Sequence, residues 1–170
     1  MPADMFTAEL TALLPRLRRL ASALARPPAD SDDLAQASVE RMLRARDQWQ
    51  PGTRFDAWAF RVMRNLWIDT ARANARQSAR RAPEEDGLNV GDDPQPGLEA
   101  RSELAAVRRA LAQLPPEQRE VVALITIEGL GYAEAAAVLD LPIGTVSTRL
   151  LRGRTALLQL LAGKENDRDN

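Results

Sequence analysis

The 170-residue chain contains neither cysteine nor histidine. Without cysteine it cannot form a disulfide, a thiolate metal site or a cysteine nucleophile. Without histidine it also lacks the commonest general base and the commonest non-thiolate zinc ligand. No glycine-rich phosphate loop and no convincing pair of acids takes their place. We therefore expect that the protein is not an enzyme and has no catalytic residue and no small-molecule substrate. We also expect no metal site and no cofactor.

Long apolar runs and alternating β-branched runs are missing as well. No stretch approaches the roughly 18 apolar residues of a membrane span. The opening residues MPADMFTAEL carry acids instead of the basic start of a signal peptide. We therefore expect a cytoplasmic protein without direct membrane insertion. Because the segments follow helical rather than strand spacing, the sequence predicts an all-α fold.

The net charge of −1 hides an uneven distribution along the chain. Residues 1–81 hold 14 arginines and 9 acidic residues, whereas residues 82–103 hold one arginine and 7 acidic residues. Prolines, glycines and acids dominate residues 82–98, a composition that cannot offset the entropy cost of ordering. The pattern predicts two helical bundle domains, 1–81 and 99–163, joined by a flexible acidic linker, 82–98, and followed by a polar tail, 164–170.

The first of these domains contains three predicted helices. One runs from Phe6 to Ala25 with a kink expected at Pro15, the second ends near Gln48, and the third spans roughly Arg54 to Ala75. The first helix has a leucine-rich face, which consists of Leu10, Leu13, Leu17, Leu20 and Leu24. In the third helix, Phe55 and Trp58 share a face with other apolar residues, so we interpret both as core residues.

Residues 131–161 (GYAEAAAVLDLPIGTVSTRLLRGRTALLQLL) predict a helix-turn-helix. A short helix of small residues, Tyr132 to Leu139, is broken by a turn that contains Pro142 and Gly144. From Thr145 onward the pattern is helical again, with Val146, Leu150, Gly153 and Leu157 on one face. The opposite face is polar, as a helix that reads the major groove of DNA requires.

Four motifs in a fixed order carry a family resemblance. They are DDLAQ at 32–36, FDAWAFRVMRN at 55–65, LPPEQREVV at 114–122, and GYAE at 131–134 followed by PIGTVSTRLLRGR. Together with the intervening linker they resemble the bacterial sigma factors, and in particular the small two-domain extracytoplasmic-function (ECF) group. The resemblance implies a cytoplasmic initiation factor, active in stress responses, that binds core RNA polymerase and promoter DNA and is held by an anti-sigma factor.

The resemblance also implies roles for individual residues. The residues that would dock on core polymerase are Asp32, Asp33, Leu34 and Gln36, with the leucine as the apolar contact. Those for the melted minus-ten element are Arg61, Arg64, Asn65, Arg72 and Arg76, with the asparagine bonded to an extruded base. A mobile loop, residues 74–81, would complete the base pocket. Those for the minus-thirty-five duplex are Ser147, Thr148, Arg149, Leu151 and Arg152, with Arg119 and Tyr132 as weaker candidates.

Two other interpretations stay open from the sequence. One is a sigma-like decoy or adaptor that binds an anti-sigma factor without reading promoters. The other is a helix-turn-helix transcriptional regulator whose first domain is an unrelated sensor. Two features argue against the decoy, because a decoy has no need of them. One is the arginine stripe of the third helix, formed by Arg61, Arg64 and Arg72. The other is the polar face of the recognition helix, which begins at Thr145.

Overall fold

The computed structural model describes residues 3–26, 29–80 and 99–166, and these residues contain helices and no strand. The predicted all-α class is therefore confirmed. The predicted acidic linker, 82–98, lies outside the described residues. The helices are α1 (Ala3–Leu24), α2 (Ala29–Arg44), α3 (Phe55–Arg80), α4 (Glu99–Gln113), α5 (Pro116–Val122), α6 (Tyr132–Leu139) and α7 (Ile143–Asn166).

The first bundle consists of α1, α2 and α3. The five leucines predicted to share a face of α1 are all buried, and Pro15 lies inside the helix without ending it. An aromatic cluster joins the start of α1 to the loop before α3. Phe6 contacts Trp49, Phe55 and Trp58 with ring centroids 5.3–6.2 Å apart. The core role predicted for Phe55 and Trp58 is confirmed, with Phe55 buried and Trp58 half-buried.

Helix α3 is longer than the sequence analysis predicted. It continues to Arg80, so the expected loop at residues 74–81 is wrong for the part that the structure describes. Residues 70–80 (TARANARQSAR) contain no glycine or proline, and alanine and arginine are strong helix formers. All eleven of these residues are exposed, so intrinsic propensity rather than packing extends the helix.

The second bundle, α4 to α7, contains the predicted helix-turn-helix. Helix α6 ends at Asp140, which adopts a left-handed conformation (φ 54°), and the N–H of Leu141 bonds to the carbonyl of Ala136 at 3.0 Å. Helix α7 begins at Ile143, two residues earlier than predicted, because the carbonyl of Pro142 already accepts the Val146 N–H. The turn between α6 and α7 is thus confined to three residues.

A wider π-helical turn, Ala123–Ile127, follows α5 and brings the second bundle against the first. Helices α4 and α5 and this turn pack on α1, while α6 packs on α3, and buried residues of both bundles form one core. In the described part of the chain, no helix is long and apolar enough to cross a membrane. The packing places one side of α3 against α6, and Arg64 of α3 forms an ion pair with Glu120 of α5.

Candidate nucleic-acid interface

The outer face of α7 presents the residues predicted to read duplex DNA. Ser147, Thr148, Leu151 and Arg152 are exposed, and Arg149 is half-buried. Leu151 is 68% exposed, which is unusual for a leucine in a folded helix. On the inner face, Val146, Leu150 and Gly153 are buried as the periodicity predicted. The helix therefore buries one side and exposes polar side chains on the other, where the Thr148 hydroxyl donates to the Gly144 carbonyl at 3.0 Å.

Gly153 sets how closely α7 approaches α5. A Cβ atom at this position would lie 2.7 Å from Cγ2 of Val122 and 3.4 Å from the Gln118 carbonyl oxygen. No side chain fits at the first distance unless Val122 moves, and Val122 is itself buried. The glycine therefore lets α7 seat deeply on α5, with its polar face turned outward.

The residues predicted to dock on polymerase lie on α2, but not all on its surface. Asp32, Asp33 and Gln36 are exposed, whereas Leu34 is only 7% exposed and packs in the core. One exposed leucine of this helix, Leu43, was not predicted from the sequence as a contact residue. Leu43 is 49% exposed and stands seven residues after Gln36, which places both on one helical face. The exposed apolar side chain on the face of Gln36 is thus Leu43, whereas Leu34 is buried.

The arginine stripe of α3 is divided between solvent and the second bundle. Asn65, Arg72 and Arg76 are exposed, and Oδ1 of Asn65 accepts from Nη1 of Arg64 at 3.5 Å. Arg64 donates from Nε to Glu120 Oε2 at 2.9 Å and from Nη2 to Glu120 Oε1 at 3.3 Å. Arg61 donates from Nη2 to the carbonyl of Ala137. Sequence spacing placed these arginines on one face but could not indicate what covers them.

A cavity of about 290 Å³ lies beside the start of α3. The residues that line it include Arg54, Trp58 and Arg61, together with Trp49, which is only 4% exposed. Nε1 of Trp49 is buried and has no hydrogen-bond partner among the described residues. A half-buried aromatic side chain with arginines beside it, such as Trp58, suits an unstacked nucleic-acid base. Helical spacing alone favoured a core role for Trp58 over base stacking.

A network of arginines and acids joins the bundles beneath this cavity. The Glu128 side chain, 0% exposed, accepts from Nε of Arg16 at 3.0 Å and from Nε of Arg19 at 2.9 Å. Arg16 also bonds Oδ2 of Asp56 at 3.2 Å, and Arg54 bonds both Asp56 and Glu134. Hydrogen bonding to Glu128 and attraction to its charge raise the pKa of the Arg19 guanidinium above its ordinary value.

The pKa of Asp56 reflects opposing causes. Burial alone would raise it, but hydrogen bonds from Arg54, from the N–H of Ala57 and from Arg16 outweigh burial. The pKa therefore lies below the ordinary value of an aspartate. Asp56 remains a carboxylate under physiological conditions and holds two arginines in place at the start of α3.

Two weaker DNA candidates are placed differently. The Arg119 guanidinium is half-buried and donates to the carbonyls of Leu111, Ala112 and Leu114, at the end of α4, and to that of Leu24. It also lies over the ring of Trp67, 5.7 Å from the centroid. Arg119 is therefore a structural residue. Tyr132 is 46% exposed at the start of α6.

Comparison with known proteins agrees with this architecture. The model of Sigma-70 region 2 matches residues 10–77, and that of Sigma-70 region 4 matches residues 104–157. The chain is 35% identical to the ECF RNA polymerase sigma factor EcfG of Rhodopseudomonas palustris, over 93% of this chain and 86% of that protein.

Solved structures resemble the whole chain as well. The sigma factor RpoE of Bartonella quintana, crystallised with the anti-sigma factor NepR, superposes with a TM-score of 0.76 at 27% identity, over 94% of this chain and 98% of that one. CnrH in complex with the cytosolic domain of CnrY superposes with a TM-score of 0.68 at 32% identity, over 93% and 88%.

The fold and both matched regions define a sigma-70 type transcription initiation factor, a class of proteins that are not themselves enzymes. Within that class, the chain belongs to the ECF RNA polymerase sigma factors.

Proposed function

We propose that the chain binds core RNA polymerase in the cytoplasm and directs it to particular promoters. The observation that carries this proposal is the pairing of region 2 and region 4 within one chain, each with an exposed polar surface suited to its task. Helix α2 would dock on the polymerase through the acids Asp32 and Asp33, with Gln36 and Leu43 beside them. Leu34, buried beneath this face, would position α2.

Helix α7 would read the minus-thirty-five element. A guanidinium group can bond O6 and N7 of one guanine together, which discriminates by about 1–3 kcal/mol against another base. Arg152 is exposed and would make such a contact, and Arg149 is half-buried. The exposed side chain of Leu151 would meet a thymine methyl group, while Ser147 and Thr148 bond bases or phosphates.

Helix α3 and the cavity beside it would hold the melted minus-ten strand. Arg72 and Arg76 would bind phosphates along the exposed end of the helix. Arg61 and Arg64 would join them when they no longer bond to α6 and α5. Asn65 would hydrogen-bond an extruded base. In the cavity beside the helix, the half-buried Trp58 would offer a stacking surface, worth about 1–3 kcal/mol for a base.

A regulatory partner follows from the solved relatives. RpoE of Bartonella quintana was crystallised with an anti-sigma factor, and its likeness to this chain extends over both bundles. We therefore propose that this chain also binds a protein of that kind.

Run-off transcription with purified core polymerase on genomic promoter fragments tests this function. We expect transcripts that start at particular promoters and depend on the chain. Core binding without any promoter-specific transcript would favour a decoy, and operator binding without polymerase would favour a conventional regulator.

Single variants test the assigned roles in the same assay. Arg152→Ala should reduce discrimination among minus-thirty-five sequences by about 5- to 150-fold, the equivalent of one bidentate contact. Arg154→Ala removes the same charge two residues along α7 and is the matched control. Asn65→Ala should slow opening at the minus-ten element without changing the choice of minus-thirty-five sequence. Normal promoter choice and opening in both variants would refute these assignments.

A further inference from the structure

Arg119 on α5 lies where the ends of two other helices meet. Its Nε atom donates to the carbonyl of Leu111 at 2.8 Å, and its Nη2 atom donates to those of Ala112 and Leu114, both at 2.9 Å. Its Nη1 atom donates to the carbonyl of Leu24, the last residue of α1, at 2.9 Å. One guanidinium group thus bonds the carboxyl ends of both α4 and α1.

The carboxyl end of a helix favours such a cation. Its last carbonyl groups lack partners within the helix, and the aligned peptide dipoles leave partial negative charge there. A guanidinium group presents five N–H groups in a rigid planar fork, so it can hold several carbonyls in one fixed geometry, whereas the lysine ammonium is a point charge on a flexible chain. Burial and the charge of Arg26 lower the pKa of Arg119 below its ordinary value, and the two helix ends oppose this effect.

The same bonds leave Arg119 little capacity to contact DNA. Four of the five N–H groups of a guanidinium are engaged with carbonyls here. The group also lies over the ring of Trp67, 5.7 Å from its centroid. A phosphate contact would require Arg119 to leave these carbonyls. The geometry therefore favours a role inside the protein over the DNA contact that the family resemblance suggested.

Helix α5 needs support from outside itself. It has only seven residues, Pro116–Val122, and no side-chain cap at its start. A helix of this length is not stable alone in water, so tertiary contacts must set its direction. Leu114 and Pro115 alone separate it from α4, which ends at Gln113. The three bonds from Arg119 to the end of α4 fix the angle of this corner.

The direction of α5 in turn determines where α7 lies. A Cβ atom at Gly153 of α7 would lie 2.7 Å from Cγ2 of Val122 and 3.4 Å from Cβ of Gln118, and both of these side chains belong to α5. Closely packed surfaces of this kind transmit displacements instead of absorbing them. A change in the direction of α5 therefore moves the outer face of α7.

We infer that Arg119 is a positioning residue for the minus-thirty-five contact, because it fixes α5 on the end of α4 and thereby orients the outer face of α7 without touching DNA itself. This inference rests on the proposed role of α7 in reading that element. Three of the four bonds lie within the second bundle, so the positioning does not depend on how the two bundles pack together.

Two substitutions separate positioning from a phosphate contact. Arg119→Met removes the charge and the donors, whereas Arg119→Lys keeps the charge and loses the planar fork. Arg18→Met removes the same charge from an exposed site on α1 and is the matched control. Each full-length variant is titrated against two short fluorescent duplexes. One carries the minus-thirty-five element of a promoter identified by run-off transcription, and in the other that element is scrambled. Circular dichroism checks that the variants remain helical.

The ratio of the two affinities measures discrimination, and their salt dependence measures phosphate contacts. In both Arg119 variants, discrimination should fall by about 5- to 150-fold, the equivalent of one bidentate contact. The slope of log affinity against log salt for the scrambled duplex should stay at its wild-type value. A phosphate contact by Arg119 would instead reduce the steepness of this slope by about 0.9 in Arg119→Met, while Arg119→Lys would retain discrimination. Arg18→Met should change neither quantity.

Each outcome decides for or against the positioning role. A reduced slope in Arg119→Met, or wild-type discrimination in both Arg119 variants, overturns it even if the chain supports transcription. A wild-type chain that binds both duplexes equally counts against the proposed reading role of α7 alone. Amide hydrogen exchange then tests the positioning without DNA. Faster exchange along α5 in Arg119→Met than in Arg18→Met supports it, and equal exchange overturns it.

Discussion

Arg16 lies at the centre of the contact between the bundles, and replacing it with glutamine should weaken the fold measurably. Its guanidinium group donates to Oε2 of Glu128 at 3.0 Å, to the Glu128 carbonyl at 3.1 Å and to Oδ2 of Asp56 at 3.2 Å. It also lies 5.0 Å from the ring centroid of Phe60. One substitution therefore removes three hydrogen bonds and a cation–π contact.

The expected loss follows from what each partner keeps. A hydrogen bond to a charged group contributes about 1.5–3 kcal/mol net. Glu128 retains Arg19 and Asp56 retains Arg54, so neither carboxylate is left without a cation. Because Arg16 is itself 32% exposed, solvent screens its bonds and about 1 kcal/mol for each is appropriate. The free energy of unfolding should fall by about 3 kcal/mol, at the lower end for breaking a buried pair.

Urea unfolding at neutral pH measures this change, and Arg18→Gln is its control. Arg18 is an exposed neighbour on α1, so its replacement should alter stability by less than about 0.5 kcal/mol. In thermal unfolding, Arg16→Gln should lower Tm by about 6–12 °C for a chain of this size. Equal stability of the two variants would refute the view that this arginine network holds the bundles together.

Two further predictions concern local features. Because the pKa of Asp56 is lowered in the folded chain, its stabilising contribution is present above the ordinary aspartate pKa of about 3.9 and is lost as pH falls through the lower folded value. The urea midpoint should therefore fall more steeply below about pH 4 in the wild type than in Asp56→Asn, and parallel curves would contradict this. Gly153→Leu should destabilise the chain by about 1–3 kcal/mol through overlap with Val122. Gly163→Leu should be neutral or slightly stabilising, because a Cβ atom at this position would meet nothing within 4 Å. Thermal unfolding measures both glycine variants.

Local sequence patterns predicted most of the fold. The leucine spacing in α1 indicated its buried face, and Pro142 and Gly144 marked the turn before α7 to within two residues. These features depend on neighbours along the chain, for which helical periodicity and backbone preference are sufficient. The end of α3 was placed too early because an arginine-rich exposed segment has the composition of a loop, yet its alanines favour a helix.

Contacts between distant segments could not be predicted in the same way. Glu120 and Glu128 are acidic, so a polarity pattern places them on the surface, but arginines of the first bundle bury both. The family resemblance made Arg119 a weak candidate for DNA contact, but its guanidinium group donates to carbonyl groups at the ends of α1 and α4. Charge pairing across more than 50 residues leaves no periodic signal.

The most direct test of the account is binding of the labelled chain to purified core RNA polymerase. We predict saturable one-to-one binding. It should weaken in the double variant Asp32→Lys with Asp33→Lys, which reverses the charge of two exposed acids of α2. Reversal of Asp69, an exposed acid on α3, should leave binding unchanged. Absence of any saturable association between the wild-type chain and core polymerase would contradict the account.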